Sequence, residues 1–389
     1  MRSEPNYNTI PVGQLGIVAL PGCEELANKI DNYLIRWRFQ RNSEHKDTLA
    51  FAGYERSTYL INMDFPRFGT GEGKAALNQT VRGYDIYILC DVFNYGVTYK
   101  MYGQTVPMSP DEHYANLKRA ISAIEGKAKR VSVIMPMLYE GRQHKRSSRE
   151  SLDCAMMLQE LNSMGVENFI TFDAHDPRVM NAIPLCGFES ISPAYQMIKA
   201  AVKNIPDIKI DKDHIMIISP DEGGMSRCIF YSTVLGLELG MFYKRRDYSR
   251  IVDGRNPIIA HEFLGDNIEG KDVIIVDDMI SSGESMIEVA TKLKELKAKR
   301  IFIFSAFGLF CNGLDGFDKA FEEGLIDRVF TTNLIYGTPE LQKREWHVKV
   351  DMSKYLSYII DTLNHDTSIS DLLDPAEKIN ALLEKNGLK

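Results

Sequence analysis

The chain has 389 residues, 44% hydrophobic and 25% charged, and its 46 Lys and Arg against 53 Asp and Glu give a formal net charge of −7. This is the composition of a soluble globular chain long enough for two domains, and the acidic balance argues against a broad nucleic-acid-binding surface. The six scattered cysteines contain no Cys-x-x-Cys pair, no apolar run approaches the roughly 18 residues of a membrane span, and the N-terminal MRSEPNYNTIPVG lacks a signal-peptide core, so the expectation is a cytoplasmic protein with reduced thiols and no membrane partner.

Taken in chain order, short apolar runs alternate with amphipathic stretches. LGIVAL (15–20) reads as a strand, and CEELANKIDNYLIRW as a helix with Leu26, Ile30 and Leu34 on one face. YDIYILCDVF is strand-like. PDEHYANLKRAISAIEGK opens on Pro–Asp, carries the helical period and stops near Gly126. RVSVIMPML predicts a strand and SRESLDCAMMLQELNSMG a helix closed by glycine. VENFITFDAH, HIMIISPDEGG, DVIIVDD and RIFIFSAF predict further strands, with the helix ESMIEVATKLKELKAK between the last two. The repeated β–α–β order predicts an α/β protein with parallel sheets flanked by helices. A domain change is expected near Gly165. That places an N-terminal domain over 1–165 and a C-terminal domain over 166–351, with a C-terminal helix at 352–389 packing back on the first.

In open parallel sheets ligands bind outside the carboxyl ends of the strands. Four strands here end in chemistry-capable residues: PMLYEGRQHKR, FDAHD, SPDEGG and VDDMISSGES. In the last, the apolar run 273–276 predicts a buried strand, with Asp277 and Asp278 where it emerges. Ser281, Ser282, Gly283, Glu284 and Ser285 form a small polar turn entering a helix. Backbone amides of such a turn, with the helix dipole behind them, cradle phosphate. Carboxylates accept from sugar hydroxyls, directly or through a metal. The pattern therefore points to a phosphorylated sugar. Elsewhere, the neutral imidazole of His175, two residues after Asp173, can bind or orient a hydrated metal ion, and Arg142 offers a bidentate match to phosphate.

The VIIVDDMISSGES stretch resembles the phosphoribosyl-pyrophosphate signature of phosphoribosyltransferases and ribose-phosphate pyrophosphokinases. The other segments favour the second family. FGTGEGKAALNQTVRG resembles its Phe-x-Asn/Asp-x-Glu segment, YEGRQHKRSSR its Arg–Gln nucleotide loop and FITFDAHDP its Asp-x-His segment. IISPDEGGMSR resembles its Ser-Pro-Asp-x-Gly-Gly turn, YKRRD its Lys-Arg-Arg segment, and TTNLI with DMSKYLSYIIDTLNHDTSISDLL its closing strand and helix. The resemblance runs in order from about residue 15 to residue 373. It implies two similar phosphoribosyltransferase-like α/β domains. It also implies Mg2+-dependent transfer of the diphosphoryl group of ATP to the anomeric hydroxyl of ribose 5-phosphate, in a homo-oligomer built from dimers, often a hexamer. Carried over position by position, it makes Lys244 and Arg246 the catalytic candidates and His175 and Asp221 the metal residues. Phe68, Glu72, Arg142 and Gln143 become ATP contacts, and Asp277, Asp278 and residues 281–285 the ribose-5-phosphate contacts. Two other readings are a catalytically silent paralogue that binds active subunits and a phosphoribosyltransferase.

The chain departs from the family pattern at several points. Thr70 stands for the acid or amide between Phe68 and Glu72, His144 for the Asp after Arg–Gln, Glu284 for a glycine in the phosphate turn, and Phe307 for a histidine. The Glu284 side chain is expected to point outward from the start of its helix. Two segments are longer than usual: a Tyr- and Gly-rich loop, FNYGVTYKMYGQTVPMSPDE, and the flap DYSRIVDGRNPIIAHEFLGDNIEG, which adds Arg250, Arg255 and His261.

Overall fold

The computed structural model describes residues 9–42, 51, 53–246 and 258–388. In chain order its elements are β1 (Gln14–Ala19), α1 (Glu24–Asn42), β2 (Met63–Asp64), β3 (Ala76–Leu77), β4 (Tyr84–Leu89), β5 (Thr98–Met101), β6 (Gln104–Pro107), α2 (Pro110–Ile124), β7 (Arg130–Ile134), α3 (Asp153–Ser163), β8 (Asn168–Phe172) and β9 (Gly187–Ile191). There follow α4 (Ala194–Asn204), β10 (Ile215–Ser219), α5 (Met225–Leu235), β11 (Glu238–Arg246), β12 (Ile258–Leu264), β13 (Asp272–Ile280), α6 (Glu284–Glu295), β14 (Ile301–Gly308), α7 (Asp315–Glu322), β15 (Arg328–Thr332), β16 (His347–Val350), α8 (Ser353–Asn364), α9 (Ser370–Leu373) and α10 (Ala376–Lys385). Among the described residues no helix is long and apolar enough to cross a membrane.

Two compact units result. The first comprises residues 1–192, 333–336 and 351–373, and the second 193–332, 337–350 and 374–389. The division differs from the expected break at 165. β8 and β9 lie beyond Gly165, yet they pair in parallel with β7 and with each other and so complete the first sheet. The expected single C-terminal helix is also divided. α8 packs on α1 in the first unit, whereas α10 packs on α4 and α5 in the second.

The first unit holds a parallel sheet in the order β1-β4-β7-β8-β9, which grows in one direction only. Its strands are apolar because helices cover them: Ile86, Ile88, Val133 and Phe169 share a core with Leu117 and Ile121 of α2 and Leu158 and Leu161 of α3. α2 begins with a full capping box. Ser109 accepts from the Glu112 amide, Glu112 accepts from the Ser109 amide, and Pro110 takes the first turn, where a missing N–H costs nothing. The second unit holds a larger sheet, β12-β11-β10-β13-β14-β15-β16, parallel except for the β11–β12 hairpin. From β10 the chain passes through α5 to one side, and from β13 it passes through α6 to the other. The order of the sheet therefore reverses between β10 and β13.

The N-terminal ends of the strands carry structural charges. Asp85 at the start of β4 takes both arms of Arg130 at 2.7 Å, and the same guanidinium donates to the Leu363 carbonyl of α8. Asp361 of α8 is fully buried between Arg38 and Arg41 of α1, and Arg38 reaches it at 2.9 Å. Asn364 accepts from Arg38 and donates to Asp85. His365 donates from Nδ1 to the Asp361 carbonyl at 2.7 Å, which leaves Nε2 to accept from the Tyr54 hydroxyl at 3.1 Å. In the second unit Asp272 and Arg300 pair at 2.6 Å at the corresponding edge.

A buried carboxylate whose partners remain charged is costly to lose, so Asp361→Asn should destabilise the protein by about 3–5 kcal/mol, read as a lowered urea midpoint. Burial depresses the His365 pKa from 6.5 to about 4. Between those values the unfolded chain binds a proton that the folded chain refuses, so stability falls as pH drops through that window. The urea midpoint should therefore decline more from pH 7 to pH 5 in the wild type than in a His365→Gln variant.

Candidate functional site

The second unit brings the SPDEGG turn against β13 at the point where its strand order reverses. β10 pairs with β13 only as far as Ile275, whereas β14 accompanies β13 to Ile280. Asp277 and Asp278 thus lie within the strand rather than at its exit, on a stretch that β10 has already left. Ser219 ends β10, and its hydroxyl donates to the Asp221 carbonyl at 2.7 Å. Asp221 folds back so that Oδ1 accepts from the Gly223 and Gly224 amides at 2.9 and 3.1 Å. A side chain at Gly224 would lie 3.0 Å from the Ser219 hydroxyl and 3.5 Å from the Val276 carbonyl, so the turn sits tightly beside β13.

The electrostatics of this place are strained. Asp278 is buried, and its amide donates to Oδ1 of Asp277 at 2.9 Å. Burial first, and then the neighbouring Asp278 carboxylate, push the Asp277 pKa well above the ordinary carboxylate range. Arg227, whose guanidinium lies 3.8 Å from Asp277, opposes the shift. Sequence reasoning missed Arg227. A signal was present: a basic residue in the first turn of α5 runs against the helix dipole and calls for a nearby anion.

The turn after β13 leads directly into α6. Gly283 has φ +89° and caps α6 with no side chain of its own. A Cβ there would meet the Phe317 ring at 2.2 Å. The Ser281 carbonyl accepts from the Cys311 amide, and Ser282 Oγ from the Glu284 amide. Ser281 and Ser282 remain half-exposed and Ser285 exposed. Glu284 is the exposed first residue of α6, and its carboxylate accepts from Asn312 at 3.1 Å. Phe307 is buried in β14.

β11 ends in Lys244, Arg245 and Arg246. Their backbone pairs with His261, Ala260 and Ile258 of β12, so the far part of the expected flap is a strand. The side chains of Lys244, Arg246 and His261 lie outside the described residues, as do residues 247–257 with Arg250 and Arg255.

In the first unit the strand ends of β7 and β8 meet. His144 and His175 have ring centroids 5.3 Å apart, and His144 Nε2 lies 3.5 Å from Asp176. Hydrogen bonds from Arg178 chiefly hold the Asp176 pKa down at about 2, while burial lowers that of His144. Asp173 opens this turn with φ +40°, and its amide donates to the Ile191 carbonyl. Gln143 is tied into its own loop: its side chain donates to the Ser151 carbonyl at 2.9 Å. Arg142 is exposed.

Phe68 and Glu72 stand on a separate tight turn. The Phe68 amide donates to the Glu72 carbonyl, the Gly71 amide donates back to Phe68, and the Thr70 hydroxyl donates to the Glu72 carboxylate at 2.8 Å. Thr70 thus takes a place in the turn by binding Glu72. The inserted loop is a β-hairpin, β5–β6, and its amide at Tyr102 donates to the Gly69 carbonyl of this turn at 2.8 Å. Among the described residues no three His, Cys, Asp or Glu side chains form a metal cage. His175 and Asp221 belong to different units and are each described within their own.

Three family models match the chain. They are the N-terminal domain of ribose phosphate pyrophosphokinase over residues 15–165, the phosphoribosyl transferase domain over 188–309, and the phosphoribosyl synthetase-associated domain over 251–374. The ribose-phosphate pyrophosphokinase of Vibrio cholerae is 25% identical over 314 residues, covering 79% of this chain and 90% of that one. The ribose-phosphate pyrophosphokinase of Mycoplasma pneumoniae is 27% identical over 309 residues, covering 78% and 85%. The crystal structure of phosphoribosylpyrophosphate synthetase from Mycobacterium smegmatis shares the fold, with a TM-score of 0.70 at 19% identity, covering 91% of this chain and 99% of that one.

The positive φ of Gly283 and its contact with Phe317 give a direct expectation. Gly283→Ala should lower stability by about 1–3 kcal/mol, the usual cost of a side chain forced into a left-handed position, and a denaturant midpoint would read it.

Proposed function

The chain belongs to the ribose-phosphate pyrophosphokinase family, and from that premise we propose that it transfers the diphosphoryl group of ATP to the C1 hydroxyl of ribose 5-phosphate. The observation that carries the proposal is the juxtaposition in the second unit: two consecutive carboxylates on β13 and, after a short turn, a helix start without a side-chain cap. A ribose 5-phosphate has the complementary form, hydroxyls at one end and a dianion at the other.

In this reading Asp277 and Asp278 accept hydrogen bonds from the ribose hydroxyls. The amides of residues 283–285, with the Ser281, Ser282 and Ser285 hydroxyls, hold the 5-phosphate. The C1 oxygen then attacks the β-phosphorus. The bond from that phosphorus to the bridging oxygen breaks, AMP leaves with that oxygen, and the hydroxyl proton is lost to solvent. Charge grows on the transferring phosphoryl oxygens, and Lys244 and Arg246 are assigned to meet it. Phe68, Glu72, Arg142 and Gln143 are assigned to the nucleotide: Phe68 to stack on the base, Glu72 to accept from its amino group, Arg142 to bind phosphate.

Magnesium fits the residues present. The donor set is oxygen-rich, and a magnesium ion uses one or two protein carboxylates plus substrate oxygens rather than a complete protein cage. Burial first, and the adjacent Asp278 carboxylate second, raise the Asp277 pKa, and Arg227 opposes them. Asp221 is assigned to hold the ion in the second unit and His175 in the first. When bound it would supply charge neutralisation for the phosphates. The protein is proposed to act in the cytoplasm as a homo-oligomer built from dimers.

Incubation of the purified chain with ATP, magnesium and ribose 5-phosphate should yield AMP and phosphoribosyl pyrophosphate in equal amounts. Absence of AMP under every metal and phosphate condition would overturn the assignment in favour of a non-catalytic subunit. Lys244→Ala should lower turnover at least ~100-fold, the scale of losing a transition-state charge partner, while ATP binding stays measurable by calorimetry. Because Glu284 is drawn toward Asn312, Glu284→Gly should shift the KM for ribose 5-phosphate by less than about threefold. A tenfold gain in affinity would place that carboxylate against the phosphate instead.

A further inference from the structure

The β5–β6 hairpin has no role in the chemistry above, yet it breaks two local rules. Its two-residue turn is Tyr102-Gly103, with φ +48° and +79°, the type I′ geometry that favours Asn-Gly. A large aromatic residue at the first of these positions is disfavoured, because its Cβ crowds the backbone in the left-handed region. Nor does the ring repay the fold by burial: Tyr102 is 79% exposed. Phe68, on the turn that accepts the Tyr102 amide through Gly69, is 55% exposed. Two large aromatic residues therefore stand in solvent on backbones joined by one hydrogen bond.

The rest of the hairpin is built to hold the Phe68 turn still. Met101 lies where any side chain at Gly71 would be, 2.8 Å from the position of its Cβ. Arg67, beside Phe68, stacks its guanidinium 4.7 Å from the Tyr99 ring centre and donates to the Gly71 carbonyl at 2.9 Å. Glu112 of α2 accepts from the Tyr99 hydroxyl and lies 3.6 Å from Arg67. A frame of this kind fixes the turn without covering Phe68.

We propose that Tyr102 supplies a second aromatic face to the nucleobase bound at Phe68, and that β5–β6 is the frame that pre-positions the Phe68–Glu72 turn for it. The inference rests on the reading of Phe68 and Glu72 as nucleotide contacts. Flat π-faces are what a purine ring uses, and holding the platform rigid before binding removes an ordering cost from the nucleotide's affinity. Tyr102 then acts on nucleotide binding and not on the sugar phosphate.

Tyr102→Asn separates this role from folding, because asparagine is a favoured residue at that turn position and carries no ring. The variant should keep or raise the melting temperature. It should raise the KM for ATP about 5- to 100-fold, the range of stacking on one aromatic residue, and leave the KM for ribose 5-phosphate within twofold. Tyr102→Phe, which keeps the ring, should recover most of the loss. Phe68→Ala, measured in parallel, should also raise the KM for ATP. If Phe68→Ala weakens ATP and Tyr102→Asn leaves it within twofold, the second face is wrong and the Phe68 site stands. If Phe68→Ala has no effect, or the wild type forms no AMP, the parent reading fails and takes this inference with it. A loss in Tyr102→Asn that accompanies a fall in sedimenting mass and recovers at higher protein concentration would assign Tyr102 to an interface between copies, and would overturn the proposal.

Discussion

Two consecutive carboxylates on a strand buried by its neighbours set the terms for the second unit. Asp277 and Asp278 cannot both be ionised there cheaply, since burial and mutual repulsion act in the same direction. Everything around them answers that constraint. Arg227 comes from the first turn of α5, the Asp221 carboxylate is held by two backbone amides, and β10 ends at Ser219 so that the strand is open on one side. A partner that brings hydroxyls and a cation would relieve the remaining strain.

Both units divide their labour between the two edges of their sheets. Charges at the N-terminal ends of strands are paired and structural: Asp85 with Arg130, and Asp272 with Arg300. Charges at the C-terminal ends are less fully neutralised and more open. A parallel sheet favours this arrangement because helix N-termini follow the C-terminal ends of strands and favour anions there. The second unit adds the reversal of strand order between β10 and β13, from which the chain passes to α5 on one side and to α6 on the other.

Much of this was legible beforehand, for identifiable reasons. The strands were found because full burial leaves only apolar residues, and the start of α2 because Ser109, Pro110 and Glu112 form a local capping motif. That the first compact unit runs on past Gly165 is not visible in local pattern, because a glycine-closed helix looks the same inside a domain as at its end; the pairing of β8 with β7 is a long-range fact. The inserted loop read as irregular because its turn carries Tyr102 where asparagine is usual, so the hairpin signal was absent. Arg227 was overlooked because its partner, Asp277, lies fifty residues further along the chain.

The amino-acid sequence alone determined the α/β class, the order of the elements, the family resemblance and the identity of the residues that end each strand. These depend on periodicity, capping and short motifs, all of which act within a few residues. Tertiary structure alone decided where the first sheet closes, that α8 and α10 belong to different units, that Glu284 is drawn to Asn312, and that Asp277 lies within β13 where β10 has already departed. Each of these is settled by which distant segments pair or pack. Local pattern cannot specify that choice, because burial energy rewards any complementary partner and only the whole chain determines which one is within reach.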